Sequence, residues 1–473
     1  MERASRGPSL GRALDALRGV VAPQDALLLA MALTLLRHEA DAEGAGGEDC
    51  PTRARAAWGA LMSGIWWRDP YELERIMRDG LGAWESRHGR LSILPPLADV
   101  PAHQLRPLID WLTATSDPAV LFEECLRHTQ TIGKGGHYYT PPDIAHLLIG
   151  LLEPQAGEAV YDPVCGSGGF LLRAHEYVTS ADGDADVRLY GQDMSRTALL
   201  TAAMNLSVHG TEACLGGPSS TLTDDRFPDW SFDVVIANPP FNMSGWDDRD
   251  DRHFDPRWVY GPPPAGNANF AWVQHVVSKL SRTGAGRGAI LLPTGAAAGT
   301  KPGERDIRAR LLEDDVLSCV VELPAGLIPH VRNPVSLWLF TRSKKTHGNW
   351  GRNDRSGQIL LIDAREIAVT VGRGRRAVPD EVRERIVATF AAWRGTAEAS
   401  YEDVPAWCRS VSVEEIAAHK YDVLPSHHVG VAAAESQTVS GEEQVAVLTD
   451  ELYALFETSH ALEAQLRDVL GRL

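Results

Sequence analysis

The chain has 473 residues, of which 44% are hydrophobic and 23% charged. These proportions are ordinary for a globular protein and exclude a chain that is disordered, collagen-like or membrane-embedded as a whole; at roughly 150 residues per domain the length suits about three structural units. Forty-six Lys and Arg against 63 Asp and Glu give a net charge of −17, so overall charge alone should not hold the chain to nucleic acid or to an anionic membrane, and a role on either needs a local basic surface or a basic partner.

Residues 1 to about 130 read as helical, because Ala26–Leu36, Arg53–Met62, Tyr71–Trp84, Gln104–Thr113 and Ala119–His128 carry apolar residues at helical spacing. Gly/Pro/Asp breaks at Asp41–Pro51 and Leu94–Pro101 separate them, and Thr131–His137 is Gly-rich and reads as a hinge. The longest apolar stretch, Ala26–Leu36, is about half of the ~20 residues that a bilayer span needs. Gln24, Asp25, Arg37 and His38 flank it and no small-residue cleavage site follows, so a buried helix is expected rather than a leader, in a cytoplasmic protein. Cys50, Cys125, Cys165, Cys214, Cys319 and Cys408 form no CxxC pair and no Cys/His cluster at zinc spacing, which points to free thiols and no metal site.

From about residue 138 the texture changes. Ala159–Tyr161, Val187–Tyr190, Phe232–Ala237, Ala289–Leu292, Leu317–Leu323, Val335–Phe340 and Ile359–Ile362 are short apolar runs, mostly continuous rather than alternating, as in strands buried on both faces of a parallel sheet. Helical patterns at Asp143–Leu152, Thr197–His209 and Ala271–Leu280 lie between them, and such alternation indicates an α/β open sheet. In the tail, Leu448, Leu452, Leu455, Ser459, Leu462, Leu466, Val469 and Leu473 are spaced alternately by four and three. This is a heptad seam of about 3.5 repeats, for a helix packed on its own protein or offered to another subunit.

Three motifs carry chemistry. Asp162-Pro163-Val164-Cys165-Gly166-Ser167-Gly168-Gly169 follows the strand at Ala159–Tyr161; a Gly-rich turn at a strand's carboxyl end lets a ligand approach backbone N–H groups closely, although a tight turn alone needs the same residues. GxGxxG would need Gly where Leu171 stands, GxSxG would need Gly where Cys165 stands, and the GK[ST] of a P-loop is absent. Tyr190-Gly191-Gln192-Asp193 ends the next strand, and an acid there is placed to accept hydrogen bonds from ribose hydroxyls or simply to face solvent. Asn238-Pro239-Pro240-Phe241 follows the strand at Phe232–Ala237. Its prolines stiffen the turn and donate no N–H, so the loop is rich in acceptors. An exocyclic base amine is a poor nucleophile, because its lone pair is delocalised into the ring. A side-chain amide oxygen and a backbone carbonyl that both accept from it would localise that pair, while Phe241 stacks on the base.

At these residues the chain resembles the N6-adenine DNA methyltransferases, and more narrowly the modification (M) subunits of type I restriction–modification systems. The resemblance runs through His137-Tyr138-Tyr139-Thr140-Pro141, the Gly-rich turn, Tyr190–Asp193, Asn238–Phe241, Gly266–Trp272, Gly288–Gly295 and Glu304–Leu311. It implies an α/β, Rossmann-like, mostly parallel seven-stranded sheet, with an N-terminal helical domain (1–133), a catalytic domain (134–430) and a C-terminal helical docking tail (431–473). S-adenosylmethionine would meet His137, Tyr138, Tyr139, Thr140 and Pro141, Asp162, and the Gly166, Ser167, Gly168 and Gly169 turn, with its ribose on Asp193. A flipped adenine of double-stranded DNA would enter against Asn238, Pro239, Pro240 and Phe241, and no metal would be required. The implied partners are a specificity (S) subunit, a second copy of this chain and a restriction (R) helicase-nuclease subunit. Two positions depart from the family pattern: Pro142 stands where relatives often have Arg, and Gly217–Leu222 lacks the acid near the end of the third strand, so no adenine-ring contact is assigned there.

Two further stretches carry expectations. Trp246, Asp247, Asp248, Arg249, Arg252, Arg257, Trp258 and Tyr260 would help hold a flipped nucleotide or form a mixed-charge surface loop. Arg342, Lys344, Lys345, Arg352, Arg355, Arg373, Arg375 and Arg376 form the most basic stretch, suited to DNA phosphates or to solvent. The competing functions are methyl transfer to a protein glutamine or RNA amine, and a non-catalytic cofactor-binding component of a phage-defence complex.

Overall fold

The computed structural model describes residues 8–42, 52–64, 71–89, 100–114, 117–132, 140–181, 183, 185–247, 254–283, 285–328, 331, 333–348, 350–367, 369–371 and 375–430, and beyond them Thr449, Tyr453 and Phe456. Two compact units emerge, Met1–Val429 and Gly430–Leu473. In the second, Thr449, Tyr453 and Phe456 are helical, while every seam residue from Leu448 to Leu473 lies outside the described residues.

The first unit is built on a nine-stranded sheet. Its strands are β1 (Ala159–Asp162), β2 (Arg188–Gln192), β3 (Cys214–Gly216), β4 (Val234–Ala237), β5 (Arg287–Pro293), β6 (Leu317–Leu323), β7 (Val335–Thr341), β8 (Gln358–Asp363) and β11 (Cys408–Ser412), in the order β11-β8-β6-β7-β5-β4-β1-β2-β3. A separate hairpin pairs β9 (Val369–Val371) with β10 (Arg375–Ala377). β7 runs antiparallel to both β5 and β6, and β11 antiparallel to β8; the remaining pairings are parallel. Nine strands stand where seven are expected: the apolar runs of the sequence form β1, β2, β4, β5, β6, β7 and β8, and β3 and β11 add one strand at each edge. Every residue of β1, β4, β6 and β7 is buried, which explains their unbroken apolar sequences. β3 and β11 escape the sequence reading because three residues, none of them buried, make no apolar run and Cys408–Ser412 is interrupted by polar side chains.

Strand order reverses at β1, which pairs with β2 on one side and β4 on the other. Beyond the carboxyl ends of strands at such a switch point, an α/β sheet leaves a crevice. The connecting helices are α7 (Pro142–Leu152), α8 (Gly169–Ala181), α9 (Arg196–Val208), α10 (Asn269–Ser278), α11 (Gly295–Ala298), α12 (Pro302–Glu313), α13 (Asp380–Arg394) and α14 (Val413–Ala418).

Ahead of the sheet come α1 (Leu10–Ala16), α2 (Pro23–Ala42), α3 (Thr52–Ser63), α4 (Glu72–His88), α5 (Ala102–Ala114) and α6 (Pro118–Ile132). α2 is buried from Ala26 through Leu36, the interior helix that its all-round hydrophobicity predicts. The core of this layer runs on into Leu200, Ala203, Met204 and Val208 of α9, so the helical layer and the sheet share packing. Trp84 Nε1 donates to Ser207 Oγ at 2.9 Å across that contact.

The basic stretch is largely structural. Lys344 is buried with its Nζ 2.6 Å from Asp315, and burial pushes its ammonium down to about 8. Arg355 lies buried over the Trp393 ring, 5.1 Å from its centroid. Arg342 donates to the Val277 carbonyl and Arg376 to that of Ala325. Lys345 and Arg352 are exposed, and Arg373 lies outside the described residues. Packing has therefore taken Arg342, Lys344, Arg355 and Arg376, four of the eight charges that the sequence offered to DNA.

Ser207→Ala should leave the Trp84 N–H buried without its acceptor and lower stability by about 1–3 kcal/mol, read as an earlier urea midpoint at unchanged slope.

Candidate functional site

The Gly-rich turn begins where β1 ends. Asp162 is 1% exposed and its Oδ1 accepts the Val164 N–H at 2.9 Å. Cys165 N donates to Gln192 O at 2.9 Å, and Gly168 N to Cys165 O at 2.8 Å. Gly168 sits at φ +78°, where a Cβ would lie 3.2 Å from that of Ala202 on α9. Opposite, a Cβ on Gly191 would come within 3.0 Å of Cys165 Sγ. Glycine at both positions lets the turn seat between α9 and β2.

Asp193 ties the turn to the end of β2. Its Oδ2 accepts from Gly166 N at 3.1 Å and its Oδ1 from Ser195 N at 2.8 Å. Each oxygen keeps a further lone pair for a ligand hydroxyl. Gln192, fully buried, donates to Ser219 Oγ and Asp224 O and accepts from Arg226 N. It thereby holds the loop after β3 where no acid replaces the family's.

Asn238 directly follows β4 and is 7% exposed. Its Nδ2 donates to Thr140 Oγ1 at 3.0 Å, so the segment ahead of α7 orients the amide and leaves Oδ1 as an acceptor. Pro239 is buried, and Phe241 is partly buried against the core. Asn242 follows at φ +54°. Its N–H donates to Asn269 Oδ1 at 3.0 Å, and its Oδ1 accepts from Asn269 Nδ2 at 3.0 Å and Asn267 Nδ2 at 3.3 Å. Ala268 N closes the loop on Met243 O at 2.9 Å. The Gly266–Trp272 motif thus acts as a clamp on the turn that carries Asn238.

Thr140, Asp162, Ser167, Gly169, Asn205 and Asn238 line one cavity, which opens to solvent. The turn after β1 and the turn after β4 therefore open into the same space. Gly166, Gly168, Asp193, Pro141, Pro239, Pro240 and Phe241 lie on the same elements without lining it, while His137, Tyr138 and Tyr139 lie outside the described residues. Asn205, Glu123 and Arg173 line the cavity and were missed. The signal for Asn205 was a polar residue on the apolar face of Thr197–His209; its Nδ2 holds the Ser167 carbonyl at 2.9 Å. Glu123 and Arg173 had no local signal, since a charged residue on a helix is usually at the surface.

The loop after Asn238 differs from its expectation. Trp246, Trp258 and Tyr260 are buried, and Trp246 packs edge-on against Trp258 at 5.9 Å. Arg257 pairs with Asp255 at 2.6 Å and donates to Thr221 O at 2.9 Å. These aromatics are core and this arginine is committed; Asp248, Arg249 and Arg252 lie outside the described residues. No cluster of His, Cys, Asp or Glu among the described residues could hold a metal, and no helix among them is long and apolar enough to cross a membrane.

Residues 120–437 match the N-6 DNA Methylase family. The chain is 36% identical over 350 residues to a type I restriction enzyme HindI methylase subunit of Haemophilus influenzae, an alignment covering 73% of this chain and 76% of that one. To a type I restriction enzyme MjaIX methylase subunit of Methanocaldococcus jannaschii it is 30% identical, covering 73% of this chain and 61% of that one. The fold is similar to that of a type I restriction-modification methyltransferase subunit from Streptococcus thermophilus, with TM-score 0.71, 20% identity, and coverage of 89% of this chain and 98% of that one. A modification subunit of a putative type I restriction enzyme from Vibrio vulnificus gives TM-score 0.61 at 20% identity, covering 87% of this chain and 94% of that one.

Burial, with a smaller contribution from the Asp193 charge, pushes the Asp162 carboxyl up to about 8, against the opposing Val164 N–H bond. In the unfolded chain an Asp ionises near 4. Between those values the folded state binds the extra proton, so this group makes stability fall as pH rises from about 4 to 8. Asp162→Asn mimics the protonated form and should raise the melting temperature more at pH 8 than at pH 5, as measured by calorimetry.

Proposed function

This chain belongs to the N-6 DNA methylase family, the adenine-specific DNA methyltransferases, and on that footing we propose that it moves a methyl group from S-adenosylmethionine to the N6 amine of a flipped adenine in double-stranded DNA. It does so as the modification subunit of a type I restriction–modification complex. The observation that carries this reading is Asn238, its amide nitrogen occupied by Thr140 at 3.0 Å, on a cavity shared with the Gly-rich turn.

The donor set suits the cofactor: a turn shaped for close backbone approach, an acid at the end of β2 with spare lone pairs for ribose, and a cavity onto which the turns after β1 and β4 both open. Bound there, S-adenosylmethionine supplies an electrophilic methyl on a sulfonium. Asn238 Oδ1 and the Pro239 carbonyl accept the two amine hydrogens, localise the nitrogen lone pair and stabilise the charge that develops as nitrogen attacks. The N–C bond forms as the C–S bond breaks, a neutral thioether leaves, and one amine proton passes to solvent. Alignment is the protein's other contribution, and the Asn242–Asn267–Asn269 bonds hold the turn rigid for it. Extruding the base costs a few kcal/mol, to be met by contacts along the DNA. This acidic chain, with half of its basic stretch committed to contacts within the protein, has few such contacts to offer. A specificity subunit would therefore supply recognition, beside a second copy of this chain and, for restriction, a helicase-nuclease subunit.

Asn238→Ala in the assembled complex should lower methylation of DNA roughly 100- to 1,000-fold while calorimetric affinity for S-adenosylmethionine stays within about threefold, a change below 1 kcal/mol. Unchanged methylation by the variant would overturn the assignment. The isolated chain should methylate DNA feebly until the specificity subunit is added; robust site-specific methylation by the chain alone would overturn the division of labour.

A further inference from the structure

The cavity holds an ion pair that the transfer reaction does not use. Glu123 on α6 and Arg173 on α8 both line it, 3.0 Å apart, with only about a fifth of either side chain exposed (20% and 19%). Arg173 also pairs with Glu176, one turn along α8. Nearby on the same wall, Asn205 is fully buried, and its Oδ1 has no hydrogen-bond partner among the described residues.

We propose that Glu123 and Arg173 together recognise the amino-acid end of the cofactor, so that α6 of the helical layer is part of the cofactor site. The inference rests on the S-adenosylmethionine reading above. That end of the molecule is a zwitterion, an ammonium and a carboxylate on one carbon. Taking both from water into a largely closed cavity is costly unless each meets an opposite charge or a strong hydrogen-bonding group. Glu123 offers the ammonium a carboxylate, and Arg173 offers the carboxylate a planar fork of donors. The unpartnered Asn205 oxygen is a further acceptor for an ammonium proton. Without ligand the two side chains satisfy each other, which keeps two buried charges paired until the zwitterion arrives. Since α6 belongs to the helical layer and α8 to the sheet, occupancy by the amino-acid end joins the two layers.

Calorimetric titration of the full chain with two probes tests this: S-adenosylmethionine, and 5′-methylthioadenosine, which lacks the amino-acid end. Glu123→Gln and Arg173→Gln should each weaken S-adenosylmethionine at least about tenfold while leaving methylthioadenosine within twofold. Arg173→Gln should also erase the preference for S-adenosylmethionine over its decarboxylated analogue. Equal weakening of both probes, which a merely structural pair would give, or no weakening of either, would overturn the proposal. Failure of the unsubstituted chain to bind S-adenosylmethionine at all would overturn the cofactor reading itself. Melting curves of both variants, expected within a few degrees of the unsubstituted chain, show that the fold persists.

Discussion

The arrangement at the cavity depends on the hydrogen bond from Asn238 Nδ2 to Thr140 Oγ1. An amide side chain at the end of a strand has two orientations, and only one turns its oxygen to a substrate amine. In the structure the threonine hydroxyl accepts from the amide nitrogen, the orientation that leaves the oxygen free, and it comes from a segment outside the sheet. β4 sets where the amide begins, α7 anchors the residue that orients it, and the Asn242–Asn269 bonds hold the turn that follows. The chemistry proposed for Asn238 therefore depends on three separate stretches of chain meeting correctly, and the switch point of the sheet is where they meet.

The same crevice carries a cost. Asp162 closes β1 in a place so buried that its carboxyl stays protonated to about pH 8, and the adjacent Asp193 adds its own charge while anchoring Gly166 and Ser195. A net-cationic ligand would relieve both acids. A fold optimised for stability alone would hardly place two carboxyls beside one Gly-rich turn. The strain is local, because buried cations elsewhere, such as Lys344 and Arg394, are each paired with an acid, Asp315 and Glu153.

What was legible in the sequence follows from the length scale of each signal. Strands buried on both faces announce themselves as continuous apolar runs, so β1, β4, β6 and β7 could be read directly, and the α2 helix likewise from Ala26–Leu36. The short edge strands β3 and β11 could not, since neither has enough buried residues to leave a pattern. The turns at Asp162–Gly169 and Asn238–Phe241 were legible as motifs because backbone geometry restricts which residues they accept. Side-chain fates set by tertiary packing were not. Trp246, Trp258 and Tyr260 have the composition of a base-stacking surface yet are core, and Arg355 has the composition of a phosphate contact yet lies over Trp393. Glu123 and Arg173 lie on helices of different layers and come together only in the folded chain. The acidity of the whole chain stands out more after these corrections, because Lys344 and Arg355 of its most basic stretch are buried.

The central claim is the identity of the methyl acceptor. DNA treated with the complete complex and isotopically labelled S-adenosylmethionine, then digested to nucleosides and analysed by mass spectrometry, tests it most directly. Label is expected in N6-methyl-2′-deoxyadenosine, absent when the complex carries Asn238→Ala. Label in methylcytosine, in a protein glutamine or in RNA, with none in deoxyadenosine, would contradict it.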